Sequence, residues 1–478
     1  MNRLFYRPEN AWVGDLIPYY ENGMFYAFYL HDPRKRKGEY AEETTWHLVT
    51  TTDFENVTYH GEAIKRGGND QPDKNAYTGS VVKSGDEYYA FFTAFNEEFK
   101  TDGKAIQSVM CARGKDLYHL KTDENFRFLS DNAIYERFDW RDPYVFFNEE
   151  EKCWWMLLAS RMKGAGELRG GCIALCKSLD LIHWSYYKPF YMPNMYVTME
   201  CPEIFKMGDY WYLVFSTFND RFVTHYRISS RVNGPWKIPE NDTFDCRADY
   251  AIKTASDGKR RFAFGWIASK AECSDFGVWE WGGTMVFHEL LQDPKTGAIH
   301  VKAIEAVANH FHQSKKINKL EVWNGLFDKE NGKLQTDTLG AVLTGIPRDC
   351  FKLDVCFAID EAAEFGIALH TDNKLEKGYF LRMNPSRASM ALDMWPRSDF
   401  GKYQWQIKGD VPYQIETVRP LPRGPEYHVQ IIREDDICVI YVNDEVVLST
   451  RTYNHKAGMA GLYLVQGTAV IHSFECME

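Results

Sequence analysis

Four acidic side chains stand at a recurring distance ahead of four similar aromatic segments. Asp15 lies 9 residues before Met24, Asp142 lies 11 before Cys153, Glu200 lies 10 before Tyr210 and Asp249 lies 12 before Arg261. A fifth segment has Thr78-Gly79-Ser80 at the matching place. Carboxylates drawn together from separate repeats have two chemical uses. One is metal binding. The other is acid–base and nucleophilic work, because neighbouring like charges raise at least one pKa while another group stays ionised. Glycoside hydrolysis needs that division, with one carboxyl protonated as acid and another ionised as nucleophile or base. Taken singly, each acid also reads as a turn residue or a strand cap. The local contexts are more specific. Arg141-Asp142-Pro143 sets a guanidinium beside a carboxylate, which favours the ionised form and offers donors to hydroxyls. Met199-Glu200-Cys201-Pro202 heads an extended segment restricted by proline, and Trp12-Val13-Gly14-Asp15 puts an acid on a glycine-permitted turn beside an indole.

A repeat must position these acids. The segments GMFYAFYLHD (23–32), DEYYAFFTAF (86–95), KCWWMLLASR (152–161), DYWYLVFSTF (209–218) and KRRFAFGWIA (259–268) start 63, 66, 57 and 50 residues apart. That spacing fits a unit of about four short strands. Five units closed in a ring bury faces that no single sheet can bury, which predicts a five-bladed β-propeller over residues 1–310 with the acids converging at one mouth. Helical periodicity is confined mainly to Ala303–His312, where the propeller is expected to end. Beyond it, alternating segments at 351–357, 378–383, 427–432, 437–442 and 461–465 predict a β-sandwich over 318–478, with a hairpin turn at Asn443-Asp444. The expected fold class is therefore all-β. The sandwich carries no acid constellation and is expected to buttress the propeller or to form a homo-oligomer contact.

The 478 residues carry a formal net charge of −11, which argues against a nucleic-acid partner. Aromatic residues make up 15%, suited to sheet packing and to stacking on sugar faces. Trp12, Trp46, Trp266, Trp279 and Trp281 are candidate platforms, with core packing as the other reading. No apolar run approaches the roughly 18 residues of a membrane span. The first residues lack the apolar stretch of a signal peptide, so a cytoplasmic location is expected. Eleven cysteines are scattered, and their tight pair, Cys172 and Cys176, lacks the further ligands of a zinc site. They read as buried thiols. Dinucleotide, P-loop, His-Glu-x-x-His and nucleophile-elbow patterns are missing, so no cofactor and no metal are expected. The run Arg34-Lys35-Arg36-Lys37 reads as a solvated loop.

At the acidic motifs the chain resembles glycoside hydrolase family 32, the β-fructofuranosidase, levanase and inulinase group. Arg141-Asp142-Pro143 and Glu200-Cys201 stand as that family has them, and Tyr77-Thr78-Gly79-Ser80, Ala248-Asp249-Tyr250-Ala251, Gly265-Trp266, Trp281-Gly282-Gly283 and Val439–Asp444 are similar to further family segments. The resemblance implies a retaining double displacement on a terminal fructosyl unit. Asp15 would be the nucleophile, Glu200 the acid/base and Asp142 the transition-state stabiliser, with Arg141 and Asp249 as sugar contacts. Trp12, Trp46, Ser80 and Trp266 complete the expected substrate contacts. Glu200 is expected to carry a raised pKa and Asp15 an ordinary one. The chain departs from the family around Asp15, where Gly14 replaces an Asn and Leu16 a Pro. Two other readings compete: an inverting arabinofuranosidase or xylosidase similar to family 43, and a propeller that binds glycans without cleaving them.

Overall fold

The computed structural model describes residues 4–34, 43–101, 103–315, 320–396 and 414–478; the run Lys35-Arg36-Lys37 lies outside them. The described chain is nearly all β, and its α-helix is the short Glu305–Asn309. Each aromatic segment forms the second strand of an antiparallel set: Met24–Asp32, Glu87–Phe95, Cys153–Met162, Tyr210–Thr217 and Arg261–Lys270. Side chains alternate along a strand, so a strand that is apolar at every position must feed two cores. Phe25, Ala27 and Tyr29 enter one core while Phe28 and Leu30 enter another shared with Phe92. Phe91 joins Met156 and Leu158 in a third, and Trp155 and Leu157 join Leu213 and Phe215 in a fourth. Tyr212 and Val214 return to the first core.

The strands preceding the aromatic ones are Trp12–Glu21, Asn75–Ser84, Tyr135–Asn148, Glu200–Met207 and Asp249–Ser256. They lie against one another in cyclic order, the last returning to the first. A single residue pair, Val13 with Gly283, hydrogen-bonds the final set to the first and makes one eight-stranded sheet of the two.

After the helix, Cys350–Thr371 and Met459–Met477 pair along their lengths in a twelve-stranded sheet. Residues 350–358 also pair with Glu426–Glu434, and residues 365–369 with Gly378–Asn384. The expected hairpin turn has Asn443 and Asp444 at φ of 57° and 51°, the left-handed pair of a type I′ turn. One face of the 426–451 strands packs on Phe351, Leu353 and Val355. The other face, with Ile432, Val439 and Val447, joins the core of the N-terminal sets. Polar bolts reinforce this seam. Arg451 donates to Ala268 O at 2.7 Å, Ile267 O at 2.9 Å and Thr284 Oγ1 at 2.6 Å, and Leu4 and Phe5 amides donate to Glu434 at 2.9 and 3.0 Å.

Candidate active site

All five leading strands break register against the aromatic strand beside them at corresponding places in the repeat, mid-strand in Tyr135–Asn148 and nearer the start in the other four. The unpaired residues are Gly14-Asp15, Thr78, Asp142-Pro143, Cys201-Pro202 and Ala251-Ile252. A bulge re-aims side chains that regular pleating would send into a core. Asp142, Cys201 and Ala251 adopt φ of 58°, 50° and 52° to do so. The bulges also correct the alignment of the acids. Asp142 is equivalent to Cys201, whereas Glu200 is equivalent to Arg141 and Tyr250, each standing just before its bulge. Side chains one residue apart face opposite ways, so the repeat brings together two interleaved rings rather than one ring of carboxylates.

The first ring surrounds Asp15. Its Oδ1 accepts from Trp266 Nε1 at 3.0 Å, and its Oδ2 accepts from the Thr78 hydroxyl and, at 3.5 Å, from the Cys201 thiol. Asp142 lies beside it, its Oδ2 accepting from the Cys201 amide at 2.9 Å and its own amide donating to Thr93 Oγ1 at 2.7 Å. The second ring surrounds Glu200. Arg141 Nη2 is 3.2 Å from Glu200 Oε1, and Tyr250 donates its hydroxyl to Oε2 at 2.7 Å. Arg141 is itself oriented by Asp139 at 2.7 Å, and Tyr250 by a stacked Phe222 with ring centroids 3.8 Å apart.

Burial is the largest influence on all three acids and pushes each carboxyl above its ordinary range. Arg141 pulls Asp142 and Glu200 back down, while Asp15 is pulled down by Thr78 and Trp266 hydrogen bonds and up by Glu200. The expected ordinary pKa of Asp15 therefore gives way to a raised one. Asp142 is 4% exposed, whereas the Glu200 side chain keeps 23%, so the Glu200 end of the site opens to solvent.

The structure thus brings together Asp15, Asp142, Glu200, Arg141 and Trp266, but it assigns Trp266 a different contact. Its ring is fully buried and offers an N–H to Asp15, not a face to a ligand. Three expected contacts are not at the site. Trp46 is 0% exposed, packs on Phe28 and Phe92 and donates its indole N–H to Tyr77 O at 3.0 Å. Ser80 bridges two strands, donating to Pro143 O and accepting from the Val145 amide. Asp249 sits one residue before Tyr250, faces the other way and meets His288, with burial pushing its carboxyl up to about 7. Trp12 is partly exposed at the rim, and Arg34 stacks on it at 3.9 Å while pairing with Glu280. Arg34 is therefore not part of a solvated loop. Trp279 lies under Lys270, whose Nζ is 4.3 Å from its ring centre.

Sequence reasoning missed Thr78, Cys201 and Tyr250 as individual contacts, although each lies inside a motif that it singled out. The Gly14 departure also acquires a cause. A Cβ at Gly14 would lie 2.1 Å from Cη2 of Trp281, whose ring packs 5.5 Å from that of Trp266. Gly14 makes room for an indole beside the acid.

A family model described as the glycosyl hydrolases family 32 N-terminal domain matches residues 6–297. A levanbiose-producing levanase of Geobacillus stearothermophilus is 26% identical over 282 residues, covering 57% of this chain and 60% of that protein. The chain spans 46% of a second such levanase, from Bacillus subtilis. A sucrose-6-phosphate hydrolase of Escherichia coli is 23% identical over 97% of this chain and 92% of its own length. Among solved structures, fructan 1-exohydrolase IIa from Cichorium intybus superposes with a TM-score of 0.74 at 14% identity, covering 99% of this chain and 96% of that one.

Proposed function

The chain belongs to glycoside hydrolase family 32, and we propose that it releases terminal fructosyl units from fructosides by a retaining mechanism. The observation that carries this reading is the unequal support of two neighbouring carboxyls. Three hydrogen-bond donors converge on Asp15 and favour its ionised form against the burial that raises its pKa. Glu200 opens to solvent between a cation and a phenol, placed to give up a proton and take one back.

In the first step Asp15 attacks the anomeric carbon of the fructosyl unit as the bond to the leaving oxygen breaks and Glu200 protonates that oxygen. A fructosyl ester on Asp15 results. In the second step Glu200 removes a proton from water, the water oxygen attacks the same carbon, and the Asp15 carboxylate departs. Positive charge spreads over that carbon and the ring oxygen in both transition states. Asp142, fixed by the Cys201 amide, stabilises it electrostatically and accepts from sugar hydroxyls. Arg141 keeps Glu200 from holding its proton too tightly. Trp281, packed on Trp266, and Phe222, stacked on Tyr250, supply apolar faces for the sugar and its leaving group, with Trp12 as a further partly exposed face.

The architecture that goes with this reading is a five-bladed β-propeller over residues 1–310 and a β-sandwich over 318–478. The cyclic order of the five leading strands supports the first, and the branching of the two long C-terminal strands supports the second. The names of the relatives, a levanase, a sucrose-6-phosphate hydrolase and a fructan exohydrolase, support a fructosyl substrate.

The test is sugar release from sucrose, kestose, inulin and levan, beside an aryl arabinofuranoside and an aryl xyloside, with Asp15→Ala as control. Fructose release that vanishes in the control is expected. Pentose release, or silence across the panel while glycans still bind, would overturn the proposal.

A further inference from the structure

Three buried side chains outside the funnel converge where the N-terminal sets meet the C-terminal strands. Asp245 precedes the last leading strand, Asp249 opens it, and His288 lies on Trp279–Gln292. His288 Nε2 is 3.4 Å from Asp249 Oδ2 and 3.5 Å from Asp245 Oδ2, and one ligand atom from each residue lies within 4.8 Å of the others. None of the three is more than 1% exposed. Even so, Asp245 Oδ2, both oxygens of Asp249 and His288 Nε2 lack a hydrogen-bond partner. Leaving a buried carboxylate oxygen without a donor is costly, and here three such oxygens, one of Asp245 and two of Asp249, lie close together.

The far side of each group is fixed. Asp245 Oδ1 accepts from the amides of Cys246 at 2.6 Å and Ser449 at 3.0 Å. His288 Nδ1 is 2.8 Å from the Tyr441 hydroxyl, a partner of the kind that holds a metal-ligating imidazole and aims the lone pair of its other nitrogen. Asp249 is seated against bare backbone, since a Cβ at Gly265 would lie 2.0 Å from its Oδ1. The contacts of His288 Nε2 are longer than the roughly 2.7–2.9 Å of a charge-assisted hydrogen bond. They match the edge of a metal polyhedron instead, because bonds of about 2.0–2.2 Å in a tetrahedral zinc site set neighbouring ligand atoms about 3.3–3.6 Å apart.

We propose that Asp245, Asp249 and His288 form a buried site for a divalent cation of the zinc type, set where the N-terminal sets meet the C-terminal sheet. Two carboxylates and a neutral imidazole balance the charge of such an ion. A donor set with an imidazole and few oxygens suits zinc better than calcium, which takes about six to eight oxygens. Hydrogen bonds behind two of the ligands cross the seam, from His288 Nδ1 to the Tyr441 hydroxyl and from the Ser449 amide to Asp245 Oδ1. This revises the expectation of no metal drawn from the sequence, where the ligands show no zinc spacing. The site is sealed, so the ion enters as the chain folds.

The test uses the full chain without an affinity tag, both as expressed with zinc in the medium and after unfolding and refolding with zinc or cobalt(II). Metal content after gel filtration is expected to approach one zinc per chain, and the cobalt form to show the intense visible bands of a centre with low coordination number. Asp249→Asn and His288→Gln should each lose the metal. Should either variant fail to fold, the cobalt spectrum and zinc content of the refolded wild type decide. Refolded wild-type protein with native thermal stability, metal far below one per chain and no visible cobalt bands would overturn the site in favour of a proton shared among the three groups.

Discussion

Asp15 and Glu200 face the same funnel with different companions, and their pH behaviour follows from that difference. In the proposed mechanism Asp15 must be ionised and Glu200 protonated in the first step, which gives a bell-shaped kcat/KM profile belonging to the coupled pair. Arg141 lowers the Glu200 pKa, so Arg141→Gln should move the alkaline limb to higher pH. Tyr250→Phe should move it the same way by removing the phenol hydrogen bond to the carboxylate. An unmoved limb in both variants would remove Glu200 as the acid. Burial raises the folded-state pKa of Asp15 above its unfolded value, so the stability linked to its protonation is present in acid and lost as pH rises through the folded pKa. Asp15→Asn should therefore melt at a higher temperature than wild type at neutral pH, the gap closing below about pH 4, where the unfolded carboxyl is also protonated. Asp142→Asn should lower kcat by about 10²–10³, the loss seen when one preorganised electrostatic contact goes. Gly14→Ala would drive Cβ into the Trp281 ring, and about tenfold or more in kcat/KM should be lost. Trp281→Phe should restore part of it in the double variant, a coupling that independent sites would not show.

Five bulges at corresponding places in five strands are the elements that turn a repeat into a site. The aromatic second strands were legible in the sequence because their composition leaves no polar face, and all five lie where the spacing puts them. The parity of the leading strands was not legible. Distances of 9 to 12 residues do not locate a bulge, and a shift of one residue reverses which side of the strand a carboxyl faces. That is why Asp249 was expected in the funnel and stands behind it, while Tyr250 was passed over. Thr78 and Ser80, two residues apart, would share a face in a regular strand, and the bulge at Thr78 separates them. Trp46 failed for another reason: an indole flanked by apolar strands packs inward unless a cavity keeps it out, and composition does not reveal cavities. Trp46→Phe should cost about 1–3 kcal/mol of stability by leaving Tyr77 O without its buried donor. KM for a fructoside should stay unchanged; a KM effect without a change in stability would return Trp46 to the site.

At the scale of the molecule, the two parts of the chain share a core. Residues of the 426–451 strands pack among those of the N-terminal sets, and Arg451 donates to two successive carbonyls, Ile267 O and Ala268 O, of one strand across the seam. Its own charge is paired with Asp436 at 2.9 Å. Arg451→Ala leaves that buried network open and should cost about 3–5 kcal/mol, in the range for removing one partner of a buried pair. Loss of a single cooperative unfolding transition would be the further sign. A fragment ending near residue 312 should aggregate, because it exposes the apolar face that Ile432, Val439 and Val447 cover. The retaining mechanism turns on Asp15, whose fructosyl ester can be trapped. Glu200→Gln enzyme, given a fructosyl donor whose leaving group needs no protonation, should form the ester and hydrolyse it slowly. Mass spectrometry of the digest is predicted to find one fructosyl residue on the peptide that carries Asp15, absent when Asp15 is also replaced. Fructose released with no adduct, or an adduct on another carboxylate, would exclude Asp15 as the nucleophile.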